Sequence, residues 1–305
     1  MEVGPAEETF RKLYEDASAS MARELEQAGL PTAEVIDVET AFGMTRCRHW
    51  PGAGEPLVLL HGHNGSWLSW GPLLSELRGR NVYTLDTVGE PGGSIQTLPI
   101  TTASNLTTWL QSTLASLGPS RFSLVGMSYG GWIGVHYAAS YGDTLSSLVL
   151  LDPAIGIVTM KRVLRQGVLV GLTQILPPPL RRSVARRMDA EPLVFDERLR
   201  RGPALAFRKF DRRIPTYAKL EDPTPEAVLA QIAVPTLIVL AGRSELHDVG
   251  AVADKARRLI RNLELTTVDE ASHALPVTKP KAVADIMLPF LDNLPGPAGT
   301  EHVTT

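Results

Sequence analysis

The stretch Ser123-Leu124-Val125-Gly126-Met127-Ser128-Tyr129-Gly130-Gly131-Trp132 carries the strongest local signal in the chain. Phe122 to Val125 reads as a buried strand, residues 129–141 read as a helix, and the pattern G-x-S-x-G falls on the junction. A serine there must occupy a sharp, strained turn that lifts its hydroxyl clear of a sheet. Glycines two residues to either side avoid a clash between strand and helix. The helix N-terminus favours negative charge developing nearby. These features make Ser128 a candidate nucleophile.

The pattern extends in both directions. Upstream, residues 6–29 place Phe10, Leu13, Tyr14, Ala17, Met21 and Leu25 at helical spacing, and Gly29 and Pro31 end the run. Glu34–Glu39 and Met44–Trp50 read as paired edge strands. Short, solidly apolar strands then alternate with helices: 56–60, 82–85 ending at Asp86, a helix at 101–117, 122–125, a helix at 129–141, and 146–151 ending at Asp152. Strands without polar alternation are buried on both faces, as in a parallel sheet covered by helices. The rhythm stops over 155–232 and resumes with strand 235–240, helix 250–261, strand 263–268 and helix 279–293. The expected organisation is an N-terminal helical segment (1–33), an α/β core (34–154 and 233–293), an inserted helical cap (155–232) and a disordered tail (294–305). Such an insertion would sit over the carboxyl ends of the strands, where open α/β sheets bind ligands.

A serine hydroxyl is a weak nucleophile and needs a base within hydrogen-bond reach. Of seven histidines, His273 in Glu270-Ala271-Ser272-His273-Ala274 follows strand 263–268, which gives the chain order serine, acid, histidine. His136 lies in the helix after Ser128 and reads as a packed or surface residue, while His49, His247 and His302 have no supporting context. The acid that orients the imidazole is expected to be Glu245, three residues past Gly242, with Asp152 and Asp248 as alternatives. Asp152 could instead serve backbone groups at its strand end. Two backbone N–H groups must face the tetrahedral oxygen. Tyr129, directly after the nucleophile, supplies one, and His63, after His61-Gly62, the other.

His61-Gly62-His63-Asn64-Gly65, Asp86 with the Gly89–Ser94 turn, Gly126–Gly131 and Ser272-His273 together resemble the α/β-hydrolase superfamily over residues 34–293. Within it the chain is similar to bacterial carboxylesterase-like serine hydrolases with a helical cap. The resemblance implies a mostly parallel central sheet flanked by helices, an ester or related acyl bond as substrate, and a triad of Ser128, Glu245 and His273. Where this family usually has aspartate, the chain has Glu245, one methylene longer. A serine at position 128 argues against haloalkane dehalogenase and epoxide hydrolase chemistry, which use a carboxylate nucleophile. Thioesterases, lactonases, C–C bond hydrolases, acyltransferases and hydroxynitrile lyases share the triad, and a non-catalytic ligand receptor can keep it.

Composition narrows the classes further. The chain has 305 residues and a net charge of −3, which disfavours a nucleic-acid binder. Cys47 is the only cysteine, so no intramolecular disulfide forms. Met1–Arg11 is acidic and polar, unlike a signal peptide, and the apolar run 167–176 is too short to cross a bilayer. The expectation is a soluble cytoplasmic enzyme with no membrane partner, acting on a small acyl substrate without metal or cofactor. Charge is uneven: residues 155–215 hold 14 Lys/Arg against 5 Asp/Glu. Such a basic cap could steer an anionic substrate or an acyl carrier protein, or simply present solvated helix faces. Val163, Leu164, Val168, Leu169 and Leu172 are expected to face the pocket or pack onto the sheet.

Overall fold

The computed structural model describes residues 5–156, 168, 172–196 and 224–294. Among the described residues, nine strands form one sheet: β1 (Glu34–Thr40), β2 (Gly43–Trp50), β3 (Ala53–Leu60), β4 (Arg80–Leu85), β5 (Ile95–Gln96), β6 (Phe122–Met127), β7 (Leu145–Leu151), β8 (Thr236–Ala241) and β9 (Leu263–Val268). Their order is β1-β2-β4-β3-β6-β7-β8-β9, with β5 paired to β2. β1, β2 and β4 pair antiparallel, and from β4 through β9 every neighbour is parallel. This is the mostly parallel α/β sheet expected from the apolar strands. The two-residue β5 falls just after the Gly89–Ser94 turn, too short to leave a sequence pattern.

Alternate residues of the central strands enter opposite cores, as the pleat requires. Val58, Leu60, Leu148, Leu150, Ile238 and Leu240 pack on one face with residues of α2 (Ala103–Leu117), α3 (Tyr129–Tyr141) and α5 (Val249–Leu259). Leu57, Leu59, Val149, Leu151, Leu237 and Val239 pack on the other with α1 (Pro5–Gln27) and α6 (Pro280–Asp292). Helix α3 is buried from Tyr129 through Ala138, consistent with apolar residues all round it. Between β7 and β8 the described elements are helical and include α4 (Pro178–Arg187). Val168 and Leu172 point to solvent, 61% and 51% exposed, contrary to the expectation that they face a pocket or the sheet. Val163, Leu164, Leu169, His302 and the tail beyond residue 294 lie outside the described residues.

Helix α1 is fastened to the loops above the sheet by a buried polar cluster. The Asp86 carboxylate accepts the Trp67 N–H (2.8 Å), the Gly93 N–H (2.9 Å) and the Tyr14 hydroxyl. Arg48 lies 3.8 Å from that carboxylate and stacks over the Trp67 ring at 4.5 Å. The buried charge is thereby paired, as burial demands. Burial first, then the Asp86 charge, pushes the Tyr14 phenol well above its ordinary value. One carboxylate so ties together α1, the loop after β3 and the loop after β4.

Candidate active site

The carboxyl ends of five neighbouring strands, β3, β6, β7, β8 and β9, open on one edge of the sheet. The loops leaving them carry His63, Ser128, Asp152, Glu245 with His247, and His273 respectively.

Ser128 joins β6 to α3 with φ +52° and ψ −113°, a conformation costly for a residue with a Cβ. Its neighbours hold it there. The Ser128 N–H donates to the Leu151 carbonyl (3.1 Å), and its own carbonyl accepts the N–H groups of Trp132 (3.0 Å) and Ala154 (3.1 Å). The flanking glycines are sterically required. A Cβ on Gly126 would lie 2.4 Å from the Gly130 carbonyl oxygen, and one on Gly130 would lie 2.1 Å from that of Leu60. Although Ser128 stands at the N-cap of α3, its hydroxyl does not cap the helix. The side chain is therefore not spent on local structure.

The loop after β3 passes beside this turn: a Cβ on Gly62 would lie 3.3 Å from Ser128 Cβ. His61, fully buried, accepts the Thr87 N–H at Nε2 (3.0 Å), so its proton is on Nδ1, which donates to the Gly62 carbonyl (2.8 Å). Buried Glu90 holds the next two residues. One carboxylate oxygen takes the Asn64 N–H (2.6 Å), and the other lies 3.0 Å from His63 Nδ1. The His63 ring meets the Tyr129 ring edge-on at 5.9 Å. Tyr129 is the first residue of α3, in the turn whose N–H groups are directed toward the helix N-terminus.

Asp152, at the end of β7, is fully buried with φ +44°. Its carboxylate receives four donors. Oδ1 takes the Ala241 N–H (3.1 Å) and His247 Nε2–H (3.1 Å), while Oδ2 takes the Ser244 hydroxyl (2.6 Å) and His273 Nδ1–H (2.6 Å). Burial alone would push this carboxyl up, but the hydrogen bonds from His247 and His273 outweigh it and hold it well below the usual carboxylate range. An ionised carboxylate only accepts, so His273 presents an Nδ1–H to it, the arrangement that in a neutral ring leaves the lone pair on Nε2.

The structure thus places Asp152 on the His273 ring, and Glu245 is not there. The Glu245 carboxylate accepts the backbone N–H of His273 (3.2 Å) instead. Because β7 and β8 are parallel neighbours, both acids reach the same loop, but the Asp152 carboxylate meets the ring and the longer Glu245 side chain meets the main chain. Asp248 caps α5, accepting the Ala251 N–H (2.9 Å). Asp152 also serves a backbone group, that of Ala241, so its contact with the His273 ring and a strand-end bond coexist.

Three residues of this constellation have no signature in the sequence. His247, Glu90 and Asp189 each find their partners far along the chain. Asp189, in the turn after α4, accepts the Ser272 N–H (2.9 Å) and the Thr278 hydroxyl (2.9 Å), and pairs with Lys279 (2.9 Å); its carbonyl takes the Ser272 hydroxyl (2.9 Å). Burial raises the Asp189 carboxyl, but these donors, the Ser272 N–H foremost, bring it below its ordinary value. The loop bearing His273 is therefore latched to the segment between β7 and β8. Of the remaining histidines, His136 is buried against Trp132 (4.4 Å between centroids), and His49 stacks on Tyr83 (4.2 Å).

Comparison with known proteins agrees with this architecture. The model of the alpha/beta hydrolase family matches residues 57–286. The chain is 21% identical over 267 residues to an uncharacterized carboxylesterase, nap, of Bacillus subtilis, covering 84% of this chain and 85% of that one. It is 22% identical over 263 residues to carboxylesterase YbfK of the same organism, covering 85% and 88%. The crystal structure of naproxen esterase from Bacillus subtilis superposes with a TM-score of 0.80 at 19% identity, covering 95% of this chain and 99% of that one. Among the described residues, no helix is long and apolar enough to cross a membrane. With a family model matching most of its length, the chain belongs to the alpha/beta hydrolase family.

Proposed function

We propose that the protein is a serine hydrolase that cleaves an ester or related acyl bond of a small substrate through an acyl-enzyme. Ser128 Oγ attacks the carbonyl carbon while its proton passes to His273 Nε2. The backbone N–H groups of His63 and Tyr129 receive the developing oxyanion. As the tetrahedral species collapses, His273 returns the proton to the departing alcohol, and the acyl group stays on Ser128. Water then attacks by the same route, with His273 again as base, and releases the acid. Asp152 holds the imidazole with Nδ1 protonated and stabilises the imidazolium that forms in each half-reaction.

The observation that carries this reading is the 2.6 Å contact between Asp152 Oδ2 and His273 Nδ1, beside a strained serine turn whose hydroxyl makes no capping bond. The distant likeness to carboxylesterases supports an ester as the acyl bond. The described part of the insertion between β7 and β8, tied by Asp189 to the loop bearing His273, is read as belonging to a cap beside the site. Two of its arginines have structural duties, which weakens the case for a carrier-protein surface. Arg181 binds the carbonyls of Thr173 and Leu176 (3.1 Å each), and Arg186 pairs with Glu191 (3.0 Å). The test is steady-state hydrolysis of p-nitrophenyl esters of graded acyl length. Wild type should turn over at least the short esters and Ser128→Ala none. Equal rates for the two proteins would reject the proposal.

A further inference from the structure

His247 is almost wholly buried, and the two sides of its ring are treated unequally. Nε2–H donates to Asp152 Oδ1 (3.1 Å), while the buried Nδ1 has no hydrogen-bond partner among the described residues. An apolar ring would fill this space without stranding a nitrogen away from water, which is unfavourable. Packing alone therefore does not account for a histidine here; the bond to Asp152 does. Gly156 lies beside it: a Cβ there would come within 3.5 Å of His247 Cβ and 2.4 Å of a Val252 methyl.

We propose that His247 is a positioning residue, whose Nε2–H fixes the Asp152 carboxylate so that Oδ2 meets Nδ1 of His273. The inference rests on the triad reading above. The torsion that turns a carboxylate about its own axis is broad and weakly restrained by itself. Two bonds on Oδ2, from His273 and Ser244, leave the plane to be set from the other oxygen. There the donors are the Ala241 N–H, fixed by the sheet, and His247. Losing the latter would let the carboxylate swing toward Ser244 and loosen its hold on the imidazole, with substrate contacts untouched. The predicted signature is a fall in kcat and not in affinity.

The test compares His247→Gln, His247→Asn and His247→Phe. Gln places an N–H near the position of the histidine Nε2, whereas Asn is too short and Phe has no donor. His247→Asn and His247→Phe should lower kcat roughly ten- to hundredfold, the worth of one hydrogen bond to a charged group. KM should stay near that of wild type, and His247→Gln should recover most of the loss. The low-field proton resonance of His273 Nδ1–H should shift in His247→Asn and return in His247→Gln. If His247→Phe fails to fold, the Gln and Asn pair still decides. Wild-type kcat in His247→Asn, or equal losses in Asn and Gln with an unmoved Nδ1–H resonance, would overturn the proposal. Full activity in Ser128→Ala would instead overturn the triad on which it rests.

Discussion

Asp152 Oδ2 lies 2.6 Å from Nδ1 of His273, although 121 positions separate the two residues in sequence. The contact exists because β7, β8 and β9 are adjacent and parallel, so the loops after β7 and β9 open on the same edge, across the end of β8. Ser128 is tied into the same region, since its backbone bonds to Leu151 and Ala154 on either side of Asp152. The three groups of the proposed triad are thus held by one continuous set of main-chain bonds.

The acids should rank by what each touches. Asp152→Asn puts an amide against His273 Nδ1 and favours the wrong tautomer, so turnover should fall by about 10⁴. Glu245→Gln keeps an oxygen for the His273 N–H and should cost far less. Asp248→Asn should be nearly silent, because Asn caps helices about as well as Asp. Ester hydrolysis by the three purified variants checks the order, and a loss in Glu245→Gln equal to that in Asp152→Asn would refute it.

Glu90 should matter to the transition state more than to substrate binding. Its two oxygens hold Asn64 and His63, so Glu90→Gln keeps both contacts only if His63 Nδ1 becomes the acceptor. Loosening the loop that carries His63, the proposed oxyanion donor, should cost less than deleting a donor, which takes roughly 10²–10³ from kcat. The expected result is a fall of about ten- to hundredfold in kcat with little change in KM. A change confined to KM would place Glu90 in substrate binding instead.

Asp189 should couple local stability to turnover. Its φ of +48° is tolerated by Asn and strained for Ala. Asp189→Asn should therefore remain folded with a modest loss of activity. Asp189→Ala, with the Ser272 and Thr278 donors stranded, should lose about 1–3 kcal/mol of stability. Urea denaturation and kinetics of the two variants test this; an unchanged midpoint in Asp189→Ala would show that the latch carries no load.

Much of this architecture could be read from the chain before the structure. The apolar runs at Leu57–Leu60, Leu148–Leu151 and Leu237–Leu240 sit at the sheet centre because no polar residue interrupts them. Ser128 was legible because its strained turn demands glycine at 126 and 130 within a few residues of sequence. The carboxylate on the His273 ring was not. Glu245 and Asp152 stand on adjacent strands and both reach the same loop, one by its main chain and one by its ring. Linear spacing cannot rank them. His247 gave no signal for the same reason, since its partner lies 95 positions away.

The depressed pKa of Asp152 bears on stability in acid. Its folded value lies below the ordinary one, because the bonds from His247 and His273 outweigh burial. A depressed carboxyl contributes stability that is fully present above the ordinary Asp value, about 3.9, and is lost as pH falls through the folded value. Wild type should therefore lose stability more steeply than Asp152→Asn as pH falls below about 4. Chemical denaturation of both proteins across that range measures the difference; parallel curves would mean that Asp152 is not held ionised by its histidines.

Ser128 is proposed as the nucleophile, activated by a histidine that Asp152 orients. Incubation with a fluorophosphonate, followed by intact-protein and peptide mass spectrometry, tests it most directly. One adduct per chain is expected, located on the Ser128 peptide, absent in Ser128→Ala and formed far more slowly in Asp152→Asn. An adduct on another residue, or labelling at the wild-type rate in Asp152→Asn, would contradict it.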